Sequence, residues 1–384
     1  MKRNSFGILM CVFILMNFVL NMSASVFNGI LDEVATELNV SVSRTGMLSA
    51  MYSYGAGIGV PIFLIIFSKI RRDSLLKATL FFNILATMAM IAVRNFDLLL
   101  VCRFMMGLLG NCYSILAITL VASLASKDKI GFYLSLLIAG SALAMVVGVP
   151  VVRILSGILH WREIFIGLIV LMILSLLVFQ IYLKDSEEAD SSNLLNELKF
   201  LKKREVLFCL ITSFITFLGY GMQTYLTPYL LRLFPRISPY LSCMLVSIGV
   251  ASFIGNFIGG IFCDKIGYQK CIVLGSCMQC LTSLLIIFSR NNFYLNCFFI
   301  ILWMMNAWFI GLQINTAINV ATEGNSRFIV SLNSSGIQLG TAIGTSIAGF
   351  IISKYHIGYI SITSVITSFV VAMIYVKIIK VKTK

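Results

Sequence analysis

The chain has 384 residues, of which 59% are hydrophobic and 11% charged, and it carries a formal net charge of +14 at pH 7. An ordinary soluble domain has about a quarter charged residues, so lipid is the solvent for most of this surface and a soluble globular domain is excluded. Ten cysteines scatter through apolar stretches and are expected to be reduced; "CMQC" at 277–280 has redox spacing but falls mid-helix, where small packing residues are the favoured reading.

A helix needs about 20 mostly apolar residues to cross a bilayer core of roughly 30 Å. In chain order such stretches fall near 8–29, 46–68, 75–94, 98–121, 131–155 and 162–183. Six more fall near 206–230, 240–262, 270–289, 293–320, 330–352 and 357–379. None alternates with the period of a barrel strand, and helices satisfy every backbone polar group inside lipid. The expected fold is an all-α membrane protein of twelve transmembrane helices. The first stretch exceeds a signal-peptide core and lacks a small-residue cleavage pattern, so it reads as a helix.

Lysine and arginine in the connections set the orientation. With a cytoplasmic amino terminus, that side collects Lys2, Arg3, the turn "KIRR", Lys77, Lys127, Lys129, the Lys184 to Arg204 loop, Lys265, Lys270, Arg327 and the basic tail. Arg44, Arg94, Arg153, Arg162, Arg232, Arg236, Arg290 and Lys354 fall outside. Both termini are therefore expected in the cytoplasm, and the basic excess suits anionic lipid headgroups better than nucleic acid.

Residues 184–205, "KDSEEADSSNLLNELKFLKKRE", are the only long polar stretch. They divide the chain into an amino-terminal six-helix bundle, 1–183, and a carboxy-terminal one, 206–384, joined by a cytoplasmic linker. Leu194, Leu195, Leu198 and Leu201 recur in it at helical spacing, which fits either a surface helix or a solvated connector. Sliding the chain by 196 residues lays Ser68-Lys69-Ile70 on Asp264-Lys265-Ile266 and Gly59 on Gly255. Parallel repeats of this kind, with a site near midplane, are an architecture of rocking transporters.

Several motifs carry a resemblance. "GGIFCDKIGYQK" is similar to the signature loop of the major facilitator superfamily, and "SKIRRDS" to a degenerate copy in which Ser68 replaces the aspartate and Arg71 the glycine. "DEVATELNVSVSRTGMLSAMYSYGAGIGVPI", "RFMMGLLG" and "GVPVVRILSGILHWREIF" resemble the drug:proton antiporter branch, in particular its arabinose-efflux-like permeases. The resemblance implies two six-helix repeats and a secondary transporter of a small organic solute, of drug-like, sugar or nucleobase type. It also implies alternating access in the cytoplasmic (inner) membrane, outward transport and proton exchange. No cofactor is expected, and a monomer is.

The residues give these implications physical content. Asp264 stands where the ninth helix is expected to begin, so its carboxylate is placed to cap that helix, and Gly267 permits the reversal. By resemblance Lys69, Arg72, Asp264, Lys265, Gly267 and Lys270 form a cytoplasmic gate; a helix cap with basic anchors is the plainer alternative. Arg103 is the one charge well inside an expected span, which marks either a site or a side chain snorkelling to the outer headgroups. Gly140 and Gly148, with Ala144 between them and Pro150 after, suit close helix contact; resemblance assigns them to a leak-tight interface.

The first, fourth, seventh and tenth helices line the cavity in the resembled family. Here they carry Asn17, Asn21 and Ser25; Arg103 and Asn111; Tyr220, Gln223 and Thr227; and Trp303, Asn306 and Gln313. Amides and aromatics of this kind orient a neutral or amphipathic solute, and each could equally join helices to one another. The proton-coupled relatives' usual first-helix carboxylate aligns with Ala24, leaving Asp32 either as the coupling candidate or as a solvated loop acid. His160 and His356 fall near outer helix ends and give a metal site no support. No nucleophile with a neighbouring base and no phosphate loop appears, so an enzyme is not expected. An uncoupled facilitator or an importer of a sugar or nucleoside is the second reading; a non-transporting membrane receptor or scaffold is the third.

Overall fold

The computed structural model describes residues 3–67, 70–126, 129–183, 199–322 and 327–382. Ser68, the gate residue Lys69 and linker residues 184–198 lie outside them. The described residues hold no strand.

The helices are α1 (Arg3–Glu37), α2 (Met47–Ile66), α3 (Arg72–Ala92), α4 (Phe96–Leu124), α5 (Ile130–Leu155) and α6 (Trp161–Tyr182). After the linker come α7 (Arg204–Leu233), α8 (Pro235–Ile266), α9 (Tyr268–Phe288), α10 (Phe293–Ala321), α11 (Arg327–Lys354) and α12 (Ile357–Ile378). Among the described residues, 11 helices are long and apolar enough to cross a membrane. The second expected span is occupied by α2, an apolar helix of 20 residues.

Local chemistry sets the ends. Asn95 opens α4 by accepting from the Asp97 and Leu98 amides at 2.8 and 3.2 Å. His160 opens α6 in a reciprocal cap: its Nδ1 accepts from the Arg162 amide, and its own amide donates to Glu163 Oε2 at 2.9 Å. His356 Nδ1 likewise accepts from the Gly358 amide at 3.0 Å, so both histidines serve chain turns. Between α8 and α9, Gly267 takes φ +80°, a backbone that L side chains resist.

Contacts separate the chain into two compact units: Met1–Ile30 with Met51–Ser192, and Leu31–Ala50 with Asn193–Lys384. The division falls at Ile30, where α1 leaves helical geometry (φ −130°, ψ 22°). Residues 31–50, grouped with the first bundle from sequence, pack within the second unit. There Tyr225 Oη donates to the Ser43 carbonyl at 3.2 Å, and Gly46 leaves the space that the Tyr225 ring fills.

Within the first unit α3 packs along α4 and α6, and glycines on α1's neighbours let backbones meet. Gly55 lies against the Phe104 carbonyl and Gly107 against the Tyr52 carbonyl, closing α2 onto α4. In the second unit Gly255 lies against the Met305 carbonyl in the same way, closing α8 onto α10. The 196-residue slide paired Gly255 with Gly59; the structure gives the equivalent contact to Gly55. Close backbone approach, rather than distance from the loop, fixes the repeat's register here.

Candidate solute-binding and gating residues

The first unit is organised around Arg103, which is fully buried. Its Nη1 and Nη2 donate to the Ser23 and Ala24 carbonyls of α1, each at 3.0 Å. The guanidinium carbon lies 4.8 Å from the Phe27 ring centre and 4.7 Å from that of Tyr52. Snorkelling is thereby replaced by a cage of two carbonyls and two rings. A buried cation within a membrane span costs up to about 2.5–3.5 kcal/mol on insertion scales, and desolvated cation–aromatic contacts of about 2 kcal/mol offset it.

Asn17, Asn21 and Ser25 follow one face of α1. Asn17 Nδ2 donates to the Leu137 carbonyl at 2.6 Å and to Ser141 Oγ at 2.7 Å. Asn21 Nδ2 reaches Asn17 O at 2.8 Å, and Ser25 Oγ bonds to Asn21 O at 2.8 Å. This face meets the small-residue stripe of α5. A Cβ at Gly140 would lie 2.7 Å from the Ile14 carbonyl oxygen, and one at Gly148 would lie 3.3 Å from Met22 Cγ. Gly140 and Gly148 thus seat α1 within the first unit. Between Gly140 and Pro150, residues Ala144–Gly148 wind as a π turn, a local loosening that often accompanies functional sites.

Asn111 Nδ2 donates to the Ala56 carbonyl at 3.0 Å, joining α4 to α2. Gln313 Nε2 donates to the Gly259 carbonyl at 2.7 Å, joining α10 to α8 in the matching place of the second unit. Asn306 Nδ2 donates to the Gly275 carbonyl at 2.8 Å and lies 2.7 Å from the Gln279 amide. Trp303 Nε1 donates to Ser364 Oγ at 3.0 Å, and Tyr220 Oη to the Ala307 carbonyl at 2.7 Å. Thr227 is buried. Tyr220, Trp303 and Asn306 are all buried, with the Tyr220 and Trp303 ring centres 5.9 Å apart, and the structure spends most of the expected amides on bonds between neighbouring helices.

Gln223 differs. It is half-buried and its side chain has no hydrogen-bond partner among the described residues. It sits in Gly219–Tyr225, a 3-10 stretch that interrupts α7. Gly221 lies against the Gly344 backbone and Gly344 against the Leu218 carbonyl, so α11 shields this break. Irregular backbone at membrane depth persists only where protein or a wet cavity covers it, and such breaks mark binding sites in transporters.

The gate residues split by exposure. Asp264, Lys265 and Lys270 are exposed on either side of Gly267 and Arg72 is half-buried at the start of α3. The expected capping role of Asp264 does not hold: α8 continues to Ile266, the residue before α9 is Gly267, and no side chain caps it. Asp264 lies instead in the last turn of α8, at the negative end of the helix dipole.

Sequence reasoning missed Asp73. Its carboxylate is buried at the start of α3, with Arg71 Nε and Nη2 donating at 3.2 and 3.1 Å. Lys77 Nζ stands 4.0 Å away and donates to the Leu183 carbonyl at 2.7 Å. The basic residues at −2 and +4 were the available signal. Gln279, fully buried beside Asn306, was also missed, because α9 is not among the four helices expected to line the cavity.

Asp32 lies just past the α1 kink, where it lines a cavity of about 520 Å³ with Thr36, Ser41, Pro228, Arg232 and Ile357 among others. No cluster of three or more metal-ligating side chains occurs among the described residues, and none of the ten cysteines is in a disulfide.

Among the described residues, 11 membrane-length apolar helices together with α2, an interrupted α7, and a buried arginine beside polar helix faces define a polytopic membrane protein of transporter architecture. The family model "Major Facilitator Superfamily" matches residues 13–253 and 238–384, and the chain belongs to that superfamily of transporters. It is 25% identical over 348 residues to the uncharacterized MFS-type transporter YbcL of Bacillus subtilis, covering 90% of this chain and 89% of that one. It is 23% identical over 355 residues to a probable sugar efflux transporter of Helicobacter acinonychis, covering 89% and 90%. The crystal structures of the nucleoside transporter NupG and of a D-xylose-proton symporter superpose with a TM-score of 0.75 each. Those likenesses, at 12% and 13% identity, cover 96% and 95% of this chain and 99% and 96% of the others, and they establish the fold.

Proposed function

We propose that the chain moves a small, largely uncharged organic solute out of the cell across the cytoplasmic membrane by alternating access, in exchange for protons. The sugar type is favoured among solutes, supported by the relative named a probable sugar efflux transporter. The observation that carries the site is Gln223, a half-buried amide at the break of α7 whose side chain has no hydrogen-bond partner among the described residues. Asn21 and Ser25, with Arg103, Asn111, Tyr220, Trp303, Asn306 and Gln313 as framework, complete the proposed binding set. Both termini are placed in the cytoplasm, following the basic excess of the turns on that side.

The proposed gate uses Asp264, Lys265, Gly267 and Lys270, with Lys69 and Arg72 in the first repeat. A carboxylate at a helix carboxyl end is electrostatically disfavoured, and an exposed one kept there suits a partner that it meets in only one state. The proposed coupling acid is Asp32. In energised inverted vesicles, sugar addition should change internal pH in the native protein and not in Asp32→Asn. Solute flux that persists unchanged after the proton gradient is collapsed would replace exchange by facilitated diffusion.

A further inference from the structure

A second cavity, of about 440 Å³, opens at the end of the second unit where α7 and α9 begin and α10 and α12 end. Phe208, Cys209, Val320, Ala321, Ile374 and Tyr375 form its apolar wall. This wall backs onto a buried cluster that includes Val206, Cys271, Ile314 and Ala317. Its rim is polar: Arg204 and Lys377, both exposed, with Glu205 and Gln269. Phe200 and Leu201 pack on the same cluster from the turn Lys199–Lys202, and Lys203 lies 4.9 Å from the Phe200 ring centre. More basic groups thus stand at one end of this pocket.

Two features set the chemistry of an occupant. The helix starts at Arg204 and Tyr268 have no side-chain caps, so their amide ends add positive potential to that of Arg204 and Lys377. Helix ends with basic residues stand at headgroup depth, where the cations reach the interface and the wall below faces acyl chains. Basic pockets between membrane helices bind lipid phosphates.

We propose that this pocket is a binding site for an anionic phospholipid of the membrane leaflet it faces. Its phosphate lies between Arg204 and Lys377, and one acyl chain lies along Phe208, Val320 and Ile374. Glu205 excludes a second anion and favours a headgroup that carries hydroxyls, such as phosphatidylglycerol. The site is independent of the solute and of the coupling ion.

The test uses the full chain in detergent, with phosphatidylglycerol, phosphatidylcholine or inorganic phosphate added, read by thermal unfolding and by native mass spectrometry. Phosphatidylglycerol alone should raise Tm and remain bound. In the double variant Arg204→Gln/Lys377→Gln, half-maximal stabilisation should need roughly tenfold more of it. Val320→Trp, at a side chain already 54% exposed, should fold normally and abolish the effect by filling the pocket. Equal stabilisation by phosphatidylcholine, reproduction by inorganic phosphate, or an unchanged response in both variants would overturn the proposal. Should a variant fail to fold, competition between the two lipids for the native protein decides: equal retention rejects the site.

Discussion

The Arg103 guanidinium carbon lies 4.7 Å from the centre of the Tyr52 ring, so a cation pressed to an aromatic face ties α4 to α2 while the same group grips two carbonyls of α1. Three helices of the first unit share this one side chain. Lysine keeps the charge but has no planar fork to span two carbonyls or lie against two rings. Arg103→Lys should destabilise the protein by about 2 kcal/mol and reduce solute flux in proteoliposomes; a native Tm would show that the cage carries no energetic weight.

Backbone contact at Gly55, Gly107 and Gly255 leaves no space for a methyl group. Gly55→Ala or Gly255→Ala should cost about 1–3 kcal/mol through forced separation of the paired helices. At Gly336 nothing lies within 4 Å of an added Cβ. Gly336→Ala should be neutral, or stabilising by about 0.5–1 kcal/mol through backbone entropy. Thermal unfolding of the four proteins in one detergent checks the contrast.

Gln223 and Asn306 separate binding from framework. Gln223→Ala should raise the solute KM while leaving Tm at the native value. Asn306→Ala removes a buried amide bonded at 2.8 Å to Gly275 and should lower Tm, through a destabilisation of about 0.6–1.7 kcal/mol on the scale of membrane double-mutant cycles. The assignment of Gln223 fails if its alanine variant transports with an unchanged KM.

Asp73 holds Arg71 at 3.1 Å from a buried position. Asp73→Asn keeps the shape and removes the charge, leaving Arg71 and Lys77 without their shared acid. A loss of about 1–3 kcal/mol is expected, largely restored by Arg71→Gln/Asp73→Asn if the interaction is pairwise. Additive losses in that double variant would assign Asp73 a different role.

The sequence by itself determined the solvent, the number of helices, the repeat and the superfamily, because hydropathy and loop chemistry are local properties. A run of 20 apolar residues must be a helix in lipid whatever stands beside it. It also located Arg103 and the glycines of α5 as unusual. Tertiary structure decided what those residues face. Asn111 and Gln313 read equally as cavity amides or as joints between helices, and the structure shows their donors bonded to the Ala56 and Gly259 carbonyls. Asp264 read as a cap until α8 ran one turn further. The basic neighbours of Asp73 at −2 and +4 stood in the sequence, but its burial did not. Rotation, register and the exact end of a helix are fixed by contacts between segments distant in the chain, and no local pattern carries that information.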